Sequence, residues 1–165
     1  MKMTKLIGIG LLVALTSFSV WAAGEEDLYG TWRLVSYTQE IVATGEKIDI
    51  FGKAPRGFLS YSRDGRMSAI LAKDERPKPA DLAKVTNEER VELFKTVIAY
   101  GGTFKFDGKT VTHYLDISWN ETWTGTAQVR NVRLEGDKLY ISTNPIPRPE
   151  DGKVVIGVLA WEKVK

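Results

Sequence analysis

The chain holds one histidine, His113, and no cysteine, which narrows its chemistry at once. Without thiols there are no disulfides, no Cys-zinc sites, no iron–sulfur clusters and no thiol nucleophile. One imidazole excludes a multi-His metal site within one chain, and no metal or cofactor is expected. His113 sits in an alternating run, Val111-Thr112-His113-Tyr114-Leu115. Further along, Gln128 and Arg130 share one parity, with Thr143 beyond them. An imidazole, a guanidinium, an amide and a hydroxyl facing one space could orient a carboxylate, carbonyl or hydroxyl. A histidine near its ordinary pKa can also move a proton, so an isomerase or cyclase using His113 as acid and base is the enzymatic alternative. The third reading is a polar cluster that satisfies itself inside the core. No G-x-S-x-G elbow, G-x-G-x-x-G, P-loop or H-E-x-x-H is present.

Such residues need a scaffold, and the pattern is one of short strands. Gly30 to Glu40, Glu46 to Phe51, Gly57 to Ser62 and Met67 to Ala72 read as strands. Gly102 to Phe106, Lys109 to Ser118, Thr126 to Glu135, Lys138 to Thr143 and Lys153 to Val164 follow. Arg63-Asp64-Gly65-Arg66 and Phe106-Asp107-Gly108-Lys109 read as type I′ hairpin turns, and Glu135-Gly136-Asp137-Lys138 as type II′. These turns place Phe104 opposite Val111, Gly102 opposite His113, Val132 opposite Ile141, Leu134 opposite Leu139 and Arg130 opposite Thr143. Arg130 then also lies across from His113 on the next strand. Between the two halves, Thr86-Asn87-Glu88-Glu89 reads as a capping box. Val91, Phe94 and Ile98 repeat at helical spacing behind it, and Gly101-Gly102 would stop the helix.

The pairings put Phe104, Val111, Val132, Leu134, Leu139 and Ile141 on one face, with Thr112, Arg133, Glu135, Lys138 and Tyr140 on the other. The expected fold is all-β: an antiparallel barrel of about 8–10 strands with one inserted α-helix, because closure removes exposed edges. A two-sheet sandwich is the structural alternative. Trp32 and Trp161, on the first and last strands, read as core where a barrel would close. Turns near 45, 64, 107 and 136 are expected at one end, and the longer connections 52–56, 73–101, 119–125 and 144–152 at the other. The inner face is apolar at its base and turns polar at His113, Gln128, Arg130 and Thr143, the layout of a pocket for a small apolar or amphipathic molecule. Phe104, Val111, Leu115, Val132 and Ile141 would wall it. A solid barrel serving as an envelope interaction protein is the remaining alternative.

The first residues stand apart. Lys2 and Lys5 precede an uncharged run from Leu6 to Val20, and Val20-Trp21-Ala22 offers a cleavage site. Residues 1–22 read as a secretory signal peptide and 23–165 as the barrel domain, which implies a periplasmic or secreted protein. Without Lys2 and Lys5 the chain carries 21 basic and 21 acidic residues. That balance gives no electrostatic footprint for nucleic acid. No integral membrane span is expected after signal removal, and the oligomeric state is not legible.

The assembled motifs resemble the lipocalin-like domain family of small bacterial and fungal proteins. The opening Gly30-Thr31-Trp32-Arg33-Leu34-Val35-Ser36-Tyr37 looks like its G-x-W strand, and Gly57 to Leu71 resembles its glycine, tyrosine, Asp-Gly, methionine hairpin. Tyr100-Gly101-Gly102-Thr103-Phe104, Val111-Thr112-His113, Trp123, Gly125-Thr126, Gln128-Val129-Arg130 and Trp161-Glu162 resemble later motifs. The likeness spans about residues 29–164. It implies an antiparallel barrel with an internal cavity and implies no reaction. Lys163 stands where a true lipocalin carries an arginine stacked on the opening tryptophan, and the helix is inserted mid-chain.

Overall fold

The computed structural model describes residues 24–149 and 151–165; residues 1–22, where a signal peptide is expected, lie outside them. A short helix α1 (Glu25–Leu28) precedes β1 (Gly30–Ile41), β2 (Lys47–Asp49), β3 (Arg56–Tyr61) and β4 (Arg66–Ala72). Helix α2 (Asn87–Lys95) leads into β5 (Val97–Phe106), β6 (Thr110–Ser118), β7 (Ala127–Glu135), β8 (Lys138–Ser142), β9 (Ile146–Pro147) and β10 (Val154–Lys163). Neighbouring strands are antiparallel, and β1 pairs with β10. The sheet therefore closes through eight staves, β1, β3, β4, β5, β6, β7, β8 and β10, as the expected barrel does.

The two ends of the barrel differ from the expected arrangement. Trp32 and Arg33 pair with β10 and β3, while Thr38 to Glu40 pair with β10 and β2. So β2 and β3 share one edge of β1 and run in one direction, as two pieces of an interrupted strand. Counting Glu46 to Phe51 as a stave of its own inverts the polarity. The turn at 45 in fact lies with the long connections. Gly30-Thr31-Trp32 lies with the tight turns around 64, 107 and 136, because Gly30 pairs with Tyr61.

The Asp-Gly turns also differ. No residue other than glycine has positive φ among the described residues, so Asp64 and Asp107 cannot sit in a type I′ turn. Ser62 instead pairs with Arg66 around three residues, with Gly65 at φ +81. At the next hairpin Asp107 pairs with Thr110, and its carboxylate accepts from the Lys109 and Thr110 backbone N–H groups. The Glu135 to Lys138 turn has φ +61 at Gly136 and no positive φ at Asp137, the signs a type II′ turn requires.

The narrow end is sealed. Trp32 and Leu28 are wholly buried, and the Trp32 Nε1–H donates to the Leu28 carbonyl at 2.8 Å. Lys163 places its ammonium 4.7 Å from the Trp32 ring centroid and donates to the Asp27 carbonyl at 3.0 Å. The lysine thus covers the tryptophan face as a cation. Above this plug Leu34, Leu59, Tyr61, Met67, Phe104, Val111, Leu139, Ile141 and Trp161 form one core.

The helix is shorter than its periodicity predicts. The capping box is present: Thr86 Oγ1 accepts from Glu89 N–H, and the Glu89 carboxylate accepts from Thr86 N–H. The helix stops at Lys95, and Thr96-Val97-Ile98, three β-branched residues, enter β5. Ile98 therefore belongs to a strand. Gly101-Gly102 marks a bulge against β6 and does not end the helix. A Cβ on Gly102 would lie 1.8 Å from the Tyr114 carbonyl oxygen, so only glycine allows this approach. Helix α2 buries no residue; Phe94, half-exposed, meets Trp119 at a ring distance of 6.3 Å.

Candidate ligand cavity

Two hairpin registers set the site, and both slip by two residues from expectation. His113 pairs with Phe104 on β5 and with Gln128 on β7, while Val111 pairs with Phe106 and Arg130. The Phe104–Val111, Gly102–His113 and Arg130–His113 pairings are thus corrected. The cause in the first hairpin is the turn centring on Gly108-Lys109. Beyond the Gly102–Leu115 pairing the bulge at Gly101/Gly102 absorbs one further residue, leaving Ile117 opposite Gly101. A slip of two preserves side-chain parity, so the inward assignments survive. Val132–Ile141 and Leu134–Leu139 pair as expected.

His113 points inward and is covered, with 1% of its surface exposed. Its cross-strand neighbour is Phe104, and two tyrosines hold its ring nitrogens. Tyr61 Oη lies 2.7 Å from Nε2, and Tyr100 Oη lies 3.4 Å from Nδ1. Burial, with the nearby Arg130 charge second, pushes its pKa down to about 3, so the imidazole is neutral. Burial likewise raises Tyr61 well above the usual phenol range and raises Tyr100.

Arg130 is half-buried on β7. Its guanidinium donates to the Val129 carbonyl at 2.9 Å and to Gln128 Oε1 at 3.1 Å, and Gln128 Nε2 donates to Thr126 Oγ1 at 3.0 Å. Among the described residues no carboxylate lies within ion-pair distance of it. The charge is held by neutral acceptors alone.

A cavity of about 530 Å³ opens toward the long connections. Leu71, Ile98, Leu159, Tyr37 and Trp123 form its apolar wall, with Arg130, Gln128 and Thr143 on the polar side and Tyr100 between. Its size falls within the range of about 300–1,000 Å³ usual for small-molecule sites. Of the nine candidates from the sequence, Arg130, Gln128 and Thr143 line it. His113 lies beneath and reaches it only through Tyr100. Phe104, Val111 and Ile141 are buried in the base, with Val132 packed against them, and Leu115 is buried opposite Gly102, outside that cluster and bonded to the Gly125-Thr126 backbone; none of these five lines the cavity. For Phe104, Val111, Val132 and Ile141 the reason is positional: they sit nearer the tight turns, and the space is bounded at the other end of the barrel.

Sequence reading missed Tyr37, Tyr100, Leu71, Ile98 and Leu159. A register shift between Leu34 and Ser36 moves β1 by one residue, so Trp32 and Leu34 point inward and then Tyr37 does. Simple alternation would have chosen Ser36. Tyr100 and Ile98 were hidden by reading their segment as helix. Trp123 lines the entrance, and Trp119 packs edge-on against it at 4.9 Å. No group of ligating side chains suited to a metal occurs among the described residues.

A family model described as a lipocalin-like domain matches residues 29–164. A crystal structure of a lipocalin-like protein from Bacteroides uniformis is similar at 16% identity. It covers 84% of this chain and 99% of that one, with a TM-score of 0.44. At that score the likeness carries no argument, and the barrel rests on its own strand pairing. Among curated proteins none matches.

Proposed function

The chain belongs to the lipocalin-like domain family, and from that premise we propose that it is an exported protein that binds a small, mostly apolar ligand inside its barrel. The observation that supports this most is the cavity of about 530 Å³: an aliphatic and aromatic wall facing one side that carries Arg130, Gln128 and Thr143. A barrel built only to present its outer surface has no use for a hollow with an unpaired cation in its wall. The basic, then apolar, leader of residues 1–22 supports export to the periplasm or beyond.

The acid–base reading of His113 finds no support in the geometry. The imidazole is covered, is neutral across the physiological range, and has both nitrogens committed to tyrosines. A general acid or base must reach the proton it moves, and here the cavity begins beyond Tyr100. Native mass spectrometry of the protein purified from its own host tests the proposal. A small co-purifying mass, absent from an Arg130→Met variant, is the expected result. The bare protein mass, together with no uptake of Nile red, would contradict it.

A further inference from the structure

A proton count across the buried triad identifies what the cavity is built to receive. Neutral His113 has one N–H and one lone pair for two tyrosine hydroxyls. If Nε2 carried the hydrogen, it would donate to Tyr61 Oη. The Tyr61 O–H, whose one protein partner among the described residues is His113, would then be left without an acceptor in the core. An orphaned buried donor is the costly arrangement. The alternative leaves no donor of Tyr61 or His113 orphaned in the core: Tyr61 O–H donates to Nε2, and Nδ1–H donates to Tyr100 Oη. Tyr100 then accepts from Nδ1–H and keeps its own hydrogen unspent, with no protein acceptor among the described residues. Tyr100 lines the cavity.

Arg130 lines the same space, and its charge is felt at Tyr61, Tyr100 and His113. Two of its five N–H donors are used, both on neutral oxygens. The polar side of the cavity is therefore donor-rich and cationic, without an anion of its own. Resting on the ligand-binding reading above, we propose that the ligand is a carboxylate on an apolar body. Arg130 and the Tyr100 hydroxyl would donate to its oxygens, and Leu71, Ile98 and Leu159 would cover its body. His113 and Tyr61 are positioning residues that keep the Tyr100 hydrogen turned toward the ligand. The same chemistry fits a fatty acid or a ring-bearing carboxylic acid. A linear and a cyclic acid compared in the same assay separate the two.

The test uses calorimetric titration near neutral pH with dodecanoate, its uncharged analogue dodecanol, and cyclohexylacetate as the cyclic acid. Dodecanoate or cyclohexylacetate is expected to bind at least about tenfold more tightly than dodecanol, as a charge-assisted contact supplies. Arg130→Met should abolish that preference while leaving dodecanol binding in place, and Tyr100→Phe should reduce it severalfold. Tyr61→Phe, which does not touch the cavity, should also reduce the preference by releasing the His113 tautomer. An unchanged ratio in Tyr61→Phe overturns the positioning role. Dodecanol binding as tightly as both acids, or a preference that survives Arg130→Met, overturns the carboxylate assignment. If both acids fail while Nile red still binds, the assignment falls and the apolar-ligand reading stands. If no probe enters, both fall.

Discussion

His113 is the one side chain of its type in the protein, and its burial makes it a reporter of folding. Its pKa drops from 6.5 when unfolded to about 3 when folded. Between those values the unfolded chain binds a proton that the folded chain refuses, so acidification favours unfolding. The stability is complete above about pH 6.5 and is lost as pH falls through that window, with a slope approaching about 1.4 kcal/mol per unit. Asp107, lowered to about 2 by its Thr110 and Lys109 hydrogen bonds, acts only at stronger acid. Urea denaturation at about pH 7 and about pH 5 should show the decline, and His113→Gln should flatten it. Equal stability of the natural protein at both values would mean the imidazole is solvated. At this scale the sequence was half legible. Residue type and parity bring out Arg130, Gln128 and Thr143. The tyrosines were not legible, because a phenol reads as core until its partner is known.

Elements were legible where local chemistry decides them. The capping box of α2 and the type II′ turn after β7 follow from side chains a few positions apart. Registers failed where a glycine could serve either of two turns, since Asp-Gly suits both a type I′ turn and a glycine after a type I turn. Gly102 is the strictest local demand: its backbone lies against Tyr114 beside the bulge that sets Gly101 opposite Ile117. Gly102→Ala should cost more than about 2 kcal/mol by urea denaturation. A cost under about 0.5 kcal/mol would show that β5 and β6 can part there freely. Thr86→Ala should cost about 1 kcal/mol or less, because its helix buries nothing.

The whole molecule divides along the barrel axis into a packed base and a hollow top. Barrel closure was legible from strand count and the terminal tryptophans. The polarity of the ends was not, because β2 and β3 are one stave interrupted by the chain around Phe51 to Pro55. Leu28, which plugs the narrow end, should be purely structural. Leu28→Ala should cost about 2–4 kcal/mol and leave ligand uptake intact, read by denaturation beside Nile red binding. Sealing the other end should do the reverse. Leu159 faces Ile141 across β8 and β10 and lines the cavity, so a larger side chain there fills space that the ligand needs. The most direct measurement is a Nile red titration of the natural protein beside Leu159→Trp, with melting curves of both. The account predicts saturable binding that disappears in the variant while the fold persists. Equal binding by a folded Leu159→Trp would contradict it.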